Sequence, residues 1–169
     1  MVDVGLALLC LGLAVYIAVS EIHRFRHRAQ RDVLAKDLQD FAAAFENYRK
    51  QQGDWPPATN GEKVIPRGME ASLASSRWLA GSPFGGNFEW IPPARAGAGS
   101  EASGPMRAQA ALIALSAYSP HRPLDLSPAD LQYIDARIDD GDLKTGHFRT
   151  GFNGWPVYHV QAGTPAESR

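Results

Sequence analysis

The sequence predicts an α+β fold in which one long N-terminal helix is laid along a small antiparallel β-sheet. Three features carry that prediction. Residues 4–20 contain no charged side chain; Leu34, Leu38, Phe41, Phe45 and Tyr48 then recur at spacings of 4, 3, 4 and 3; and near the C-terminus two short segments flank Asn153-Gly154. The spacings keep the apolar residues on one stripe of a helix. The Asn-Gly dipeptide favours a tight hairpin.

Residues 1–52 read as a single helix in two halves, 4–20 transmembrane and 21–52 amphipathic. At a rise of ~1.5 Å per residue the apolar run extends roughly 25 Å, at the short end for a hydrocarbon core ~30 Å thick. Tyr16 suits the interface, and Gly5 and Gly12 are tolerated in such spans. A competing expectation is a cleaved secretory signal, because Ala18 and Ser20 are small residues two apart before Glu21, although no Lys or Arg precedes the run. A basic collar follows: Arg24, Arg26, Arg28, Arg31 and Lys36 against Glu21 and Asp32, with His23 and His27 among them. Such a collar meets anionic head groups or serves only as a solvated face. Taken alone, it places the following domain in the cytoplasm by the positive-inside rule.

Further along, Ala42, Ala43 and Ala44 add helix propensity, and Lys36, Asp37, Gln39, Asp40, Glu46 and Asn47 occupy the face opposite the stripe. Gly53 is placed to end the helix, and Trp55-Pro56-Pro57 prevents its continuation. The whole rod would be on the order of 70 Å long. That is more than a small domain needs to cover its own core.

Residues 53–162 are expected to form a globular α+β head, and residues 163–169 a flexible tail. Within the head, a short helix is expected over residues 69–79, with Met69, Leu73 and Leu79 inward. Ser82-Pro83-Phe84-Gly85-Gly86 reads as a turn, and residues 87–91 alternate Phe88 and Trp90 with polar neighbours as a strand does. Residues 92–105 are mostly Ala, Gly, Ser and Pro and read as a mobile loop. Residues 109–118 suit a central strand, although a helix is equally compatible with Ala and Leu. Ser127, Pro128 and Asp130 form the start of a better specified helix, with Leu131, Ile134 and Ile138 on one face and Gly141 as its stop. Two strands, residues 145–152 and 156–161, complete the hairpin. An antiparallel sheet on the amphipathic half of the rod satisfies both apolar faces.

Composition argues against several chemistries. The 169 residues carry 17 Lys and Arg against 18 Asp and Glu, a net charge of −1, and the basic residues gather beside the apolar run, so nucleic-acid binding is not expected. Cys10 is the only cysteine and lies in the apolar run, which rules out an intrachain disulfide and points to packing. His23 and His27 have the i, i+4 spacing of a metal pair, but Arg24, Arg26 and Arg28 would repel a cation. His121, His147 and His159 are scattered; a hairpin could bring the last two together without making a site. No phosphate-binding glycine loop or Ser-centred nucleophile motif is present. Trp55, Trp78, Trp90 and Trp155 are expected in the core of so small a domain.

Asp135, Asp139, Asp140 and Asp142 form the densest acidic group. Hard oxygen donors beside a glycine turn suit calcium. Their spacing matches no EF-hand loop, and Asp at a helix end followed by Gly is expected to form turns. The expectation is therefore no catalytic residue, no cofactor and no metal ligand.

The apolar N-terminal helix, Phe45-Glu46-Asn47-Tyr48 leading to Gly53-Asp54-Trp55-Pro56, and Gly85-Gly86-Asn87-Phe88-Glu89-Trp90 together resemble the type IV pilin and type II secretion pseudopilin families. Asp139-Asp140-Gly141 followed by Thr145-Gly146-His147-Phe148 adds to the likeness. The resemblance implies a pilin-like, non-catalytic structural subunit, held in the bacterial inner membrane by a single pass with its soluble domain in the periplasm. Its partners would be other pilin-like subunits, met through the N-terminal helix. In this sequence Gly5 stands where those families usually place an acidic residue, with Asp3 nearby, and no basic leader ending in Gly precedes Met1. Met1 is thus expected to be a processed start or to belong to a chain that bypasses processing. The alternatives are a single-pass envelope protein whose soluble domain binds a ligand or partner without polymerising, and a small secreted domain or enzyme released by cleavage near Ser20.

Overall fold

The computed structural model describes residues 2–59, 63–93, 110–118, 121–151 and 154–160; in the first helix the side chains at 2–10, 14, 15, 18, 20 and 23 fall outside that description. The expected loop from residue 94 onward, Asn153 and the expected tail at 163–169 also lie outside it.

One unbroken helix, α1 (Val2–Gln52), makes up the N-terminal third of the chain. It stops as the sequence predicts: Gly53 takes φ 77°, and its N–H donates to the Arg49 carbonyl at 2.8 Å. A residue in the left-handed region closes a helix in this way, and glycine alone reaches it without steric cost. The stripe is real. Leu34, Leu38, Phe41 and Phe45 are buried, and Tyr48 packs at the core's edge.

The core is an aromatic stack between this stripe and the sheet. Phe45 lies flat on Trp90, with centroids 3.8 Å apart, while Phe41 meets Phe88 edge-on at 4.9 Å and Trp78 at 5.1 Å. Both indoles are also satisfied as donors, Trp78 Nε1 to the Val64 carbonyl at 2.9 Å and Trp90 Nε1 to the Pro56 carbonyl at 3.0 Å. Burying each ring removes it from water at no polar cost. Trp55 is half-buried against Trp90, with the Arg49 guanidinium over its outer face at 4.9 Å.

The second helix is shorter than the sequence suggests. α2 (Glu70–Leu73) has four residues, and Leu79, expected inward, is exposed. Ser76 explains the early stop: its Oγ donates to the Leu73 carbonyl at 2.6 Å and accepts from the Trp78 N–H at 3.2 Å, so it competes with the helical ladder. Trp78 then enters the core from a turn.

The sheet comprises β1 (Asn87–Ile91), β2 (Leu112–Ser116), β3 (Phe148–Thr150) and β4 (Pro156–His159), all antiparallel in the order β1-β2-β4-β3. β2 is interior to the sheet and buried along its whole length, which resolves the strand-or-helix ambiguity of its Ala and Leu residues. β4 starts at Pro156 as expected and ends at His159, and β3 is shorter than expected because residues 145–147 are drawn into the turn before it. There the Thr145 N–H donates to the Asp142 carbonyl at 2.8 Å.

The outer strands are met by the chain itself. On β1, the Trp90 N–H donates to Thr59 Oγ1 at 3.2 Å. On β3, the Phe148 N–H donates to Asp139 Oδ2 at 2.8 Å and the Thr150 N–H to the Leu143 carbonyl at 3.1 Å.

The third helix, α3 (Pro128–Ile138), has the capping box read from the sequence: the Asp130 N–H donates to Ser127 Oγ at 3.2 Å, and the Ser127 N–H donates to Asp130 Oδ2 at 3.1 Å. Its expected face also holds, with Leu131 and Ile134 buried and Ile138 partly so. In front of it, the Ser82–Gly86 turn comes so near the chain at Pro123 that a Cβ on Gly85, at φ 84°, would lie 2.0 Å from the Pro123 carbonyl oxygen.

Candidate functional site

Three places in the molecule are candidates: the apolar half of α1, a cleft beside Trp155, and the carboxylate group at the end of α3. Among the described residues the head meets α1 from His27 onward, and Gln30 Nε2 donates to the Pro83 carbonyl at 3.4 Å. Before that point Leu11, Leu13, Tyr16, Ile17, Val19, Ile22 and Phe25 are 48–75% exposed. Successive residues turn by about 100° about the axis, so these seven side chains surround the helix and do not form one stripe. A helix apolar on every side requires cover from lipid or from other helices. Among the described residues no helix is long and apolar enough to cross a membrane; the side chains at 2–10, which belong to the 4–20 run, stand outside that statement.

Part of the basic collar is engaged by the head. Arg31 Nε and His27 Nδ1 each approach Asp130 Oδ1 at 3.4 Å, and the Arg31 guanidinium lies over the Tyr133 ring at 4.6 Å. Tyr133 Oη donates to Asp32 Oδ1 at 3.1 Å, and Arg137 Nε is 3.9 Å from the same oxygen. Arg24 pairs with Glu21 at 3.3 Å. The collar therefore fixes α3 against α1 just beyond the apolar half, a role that no reading of the charge run alone discloses. Of the expected His pair, the His23 side chain lies outside the description, and His27 stands edge-on to Phe84 at 5.4 Å.

Hairpin register does bring His147 and His159 opposite each other. The His147 ring Nδ1 lies 2.7 Å from the His159 carbonyl oxygen, and burial, with Arg149 nearby, lowers the pKa of His159. Its ring thus favours the neutral form within a strand pair.

Beside the end of β2, Ala117, Pro123, Leu124, Leu131, Trp155 and Pro156 line a cleft of about 230 Å³, and Tyr118 packs edge-on to Trp155 at 5.1 Å. Small-molecule sites usually enclose ~300–1,000 Å³. This cleft is smaller.

At the C-terminal end of α3 the four aspartates divide. Asp139 Oδ2 accepts from the N–H groups of His147 and Phe148; Asp140 accepts from the Asp142 N–H at 2.9 Å and Thr145 Oγ1 at 2.7 Å; Asp142 Oδ1 accepts from the Lys144 N–H at 3.0 Å. Asp140 and Asp142 form turns, as the sequence suggests, while Asp139 ties the end of α3 to the start of β3. Asp135 does neither. Its side chain is 0% exposed, and neither carboxylate oxygen meets a donor in hydrogen-bonding geometry. Burial, followed by the charges of Asp139, Asp140 and Asp142, raises its pKa to about 6; the nearby Gly141 N–H opposes this only weakly. One oxygen from each of Asp135, Asp139 and Asp140 lies within 4.8 Å of the others. The signal was present in the sequence: Leu131, Ile134, Asp135 and Ile138 follow the i, i+3, i+4, i+7 pattern of a buried face, with an acid in one apolar position.

No protein-family model and no curated protein matches this chain.

Proposed function

We propose that this chain is a pseudopilin-like structural subunit of a type II secretion or type IV pilus-like filament. In this reading α1 anchors it in the bacterial inner membrane as a single pass, the head stands in the periplasm, and neighbouring subunits meet through α1. One observation carries the reading. The same continuous helix is clamped by its own head from His27 onward and, before that point, carries exposed apolar side chains distributed around its axis. A helix serving only the head would end where the head ends. The chemistry assigned to α1 is packing, with no reaction.

The test is crosslinking through Cys10 in intact membranes, alongside membrane fractionation. Ladders of crosslinked subunits that depend on an assembly system support the filament. A membrane-bound chain that yields no species beyond monomer favours instead the single-pass envelope protein that does not polymerise. A soluble product beginning near Glu21 overturns both.

A further inference from the structure

The head neutralises one part of the basic collar and leaves the rest facing outward. Asp130 takes His27 and Arg31, whereas Arg24 pairs only with Glu21 on its own helix, the two side chains 64–70% exposed. Arg26 and Arg28 are exposed and make no ion pair among the described residues. At about 100° per residue, Phe25 points roughly 160° away from His27, so it stands on the face turned from the head. Round that face the order is Arg28, Phe25, Ile22, Arg26. Phe25 is 75% and Ile22 52% exposed, two apolar side chains between two guanidinium groups. Water suits the arginines but not the phenylalanine; the edge of a bilayer suits both. The type of cation is also informative. Residues 21–31 hold four arginines and no lysine, and the planar guanidinium fork matches phosphate oxygens two at a time.

Building on the reading of α1 as a membrane anchor, we propose that Arg24, Arg26 and Arg28, with Phe25 and Ile22 inserted beside them, bind the phosphate groups of anionic phospholipid, so that the chain gathers such lipid under its head. The dimensions agree. A bilayer about 40–45 Å thick with a hydrocarbon core of ~30 Å leaves roughly 5–8 Å of head groups in each leaflet, and Arg24 to Arg28 covers about 6 Å along the helix axis. From Val4 to Ile22 the helix advances about 27 Å, close to the hydrocarbon thickness, which sets Ile22 at its edge and the arginines just above. Side chains on a helix lean toward its N-terminus, here the bilayer, so the guanidinium groups are aimed down into the phosphate layer. The acids that could oppose the lipid are engaged elsewhere. Asp130 is buried against His27 and Arg31, and Asp32, the next acid along α1, meets Tyr133 and Arg137. Three arginines then face the phosphates with Glu21 alone against them.

The experiment is native mass spectrometry of the full chain in detergent supplied with equal amounts of phosphatidylglycerol and phosphatidylcholine, with thermal unfolding of the head recorded in the same detergent. One basic side chain near an anionic surface is worth about fivefold, so the retained lipid should favour phosphatidylglycerol by at least about tenfold. The preference should shrink as salt is raised. Arg26→Gln combined with Arg28→Gln should bring the two lipids within about twofold of each other and leave Tm in place, because neither side chain touches the head. Lys36→Gln combined with Lys50→Gln removes the same charge farther along α1 and should keep the preference. Equal retention of the two lipids by the wild-type chain overturns the proposal while leaving the membrane anchor standing. A preference that survives loss of Arg26 and Arg28 overturns it as well, as does one that the lysine variant loses to the same degree, which assigns the selection to net charge. Loss of Cys10 crosslinks in the arginine variant with its lipid preference intact overturns it in favour of a neighbouring copy on this face. A chain that retains neither lipid and fractionates as soluble overturns anchor and proposal together.

Discussion

Phe25 and Phe45 lie on the same helix, and truncating each to alanine should separate the two jobs of α1. Phe45 is fully buried, stacked on Trp90 and edge-on to Trp78 at 5.5 Å; Phe25 is 75% exposed. Removing a buried phenylalanine costs about 3–5 kcal/mol, counting lost transfer energy and the cavity left behind, and the ring pairs fall within that figure at ~0.5–1.5 kcal/mol each. Against a typical domain stability of ~5–15 kcal/mol, Phe45→Ala removes roughly a fifth or more of what holds the head together. Phe25→Ala should change head stability by no more than ~0.5 kcal/mol. The assay is denaturant unfolding of the full chain in detergent, followed by the fluorescence of Trp78 and Trp90, with the Cys10 crosslinking pattern recorded for the same two variants. Phe25→Ala should alter crosslinking while leaving the unfolding midpoint in place. A Phe45→Ala loss below about 1 kcal/mol would refute the reading that the core of the head is built on the stack of Phe45 with Trp90.

Three further outcomes follow from the geometry. Asp135 binds its proton more tightly folded, at a pKa of about 6, than unfolded, so its contribution is favourable in acid and is lost as pH rises through about 6; unfolding of wild type and Asp135→Asn at pH 5 and pH 7.5 should show the variant less pH-dependent, with a difference on the order of 1 kcal/mol. Ser127→Ala removes the capping oxygen of α3 and should cost ~1 kcal/mol by chemical denaturation. Gly85→Ala must accept both a positive φ and a Cβ driven into the Pro123 carbonyl, so a loss of roughly 2–4 kcal/mol is expected in the same measurement.

The parts of this fold written in periodicity and punctuation were legible. The stripe from Leu34 to Tyr48, the Gly53 stop, the strand at residues 87–91 and the Ser127 cap each rest on contacts within a few residues, and each appears where the sequence places it. The short helix was expected to run longer; it ends early because Ser76 intercepts backbone groups only two and three residues away, an effect without an apolar signature. β2 is the central strand expected, but only the flanking β1 and β4 decide it against the helix that Ala and Leu equally allow. The acidic group shows the same division. Asp140 and Asp142 act locally as the turn formers expected, whereas Asp139 reaches the start of β3 and the burial of Asp135 follows from how α3 is packed. The engagement of Arg31 and His27 by Asp130 spans about a hundred positions of sequence, so the collar read simply as charge.

The occupied outer strands restrict how this head can meet a neighbour. A chain seeking to extend the sheet beyond β3 would first have to evict Asp139 and Leu143 from the amides of Phe148 and Thr150, and at β1 it would have to displace Thr59 from Trp90. Recruitment by backbone templating, the route to fibrous aggregates, is obstructed at those positions. In the proposed filament, adjacent heads would then touch at those edges through side chains, contacts that can slide or re-form without unzipping a ladder.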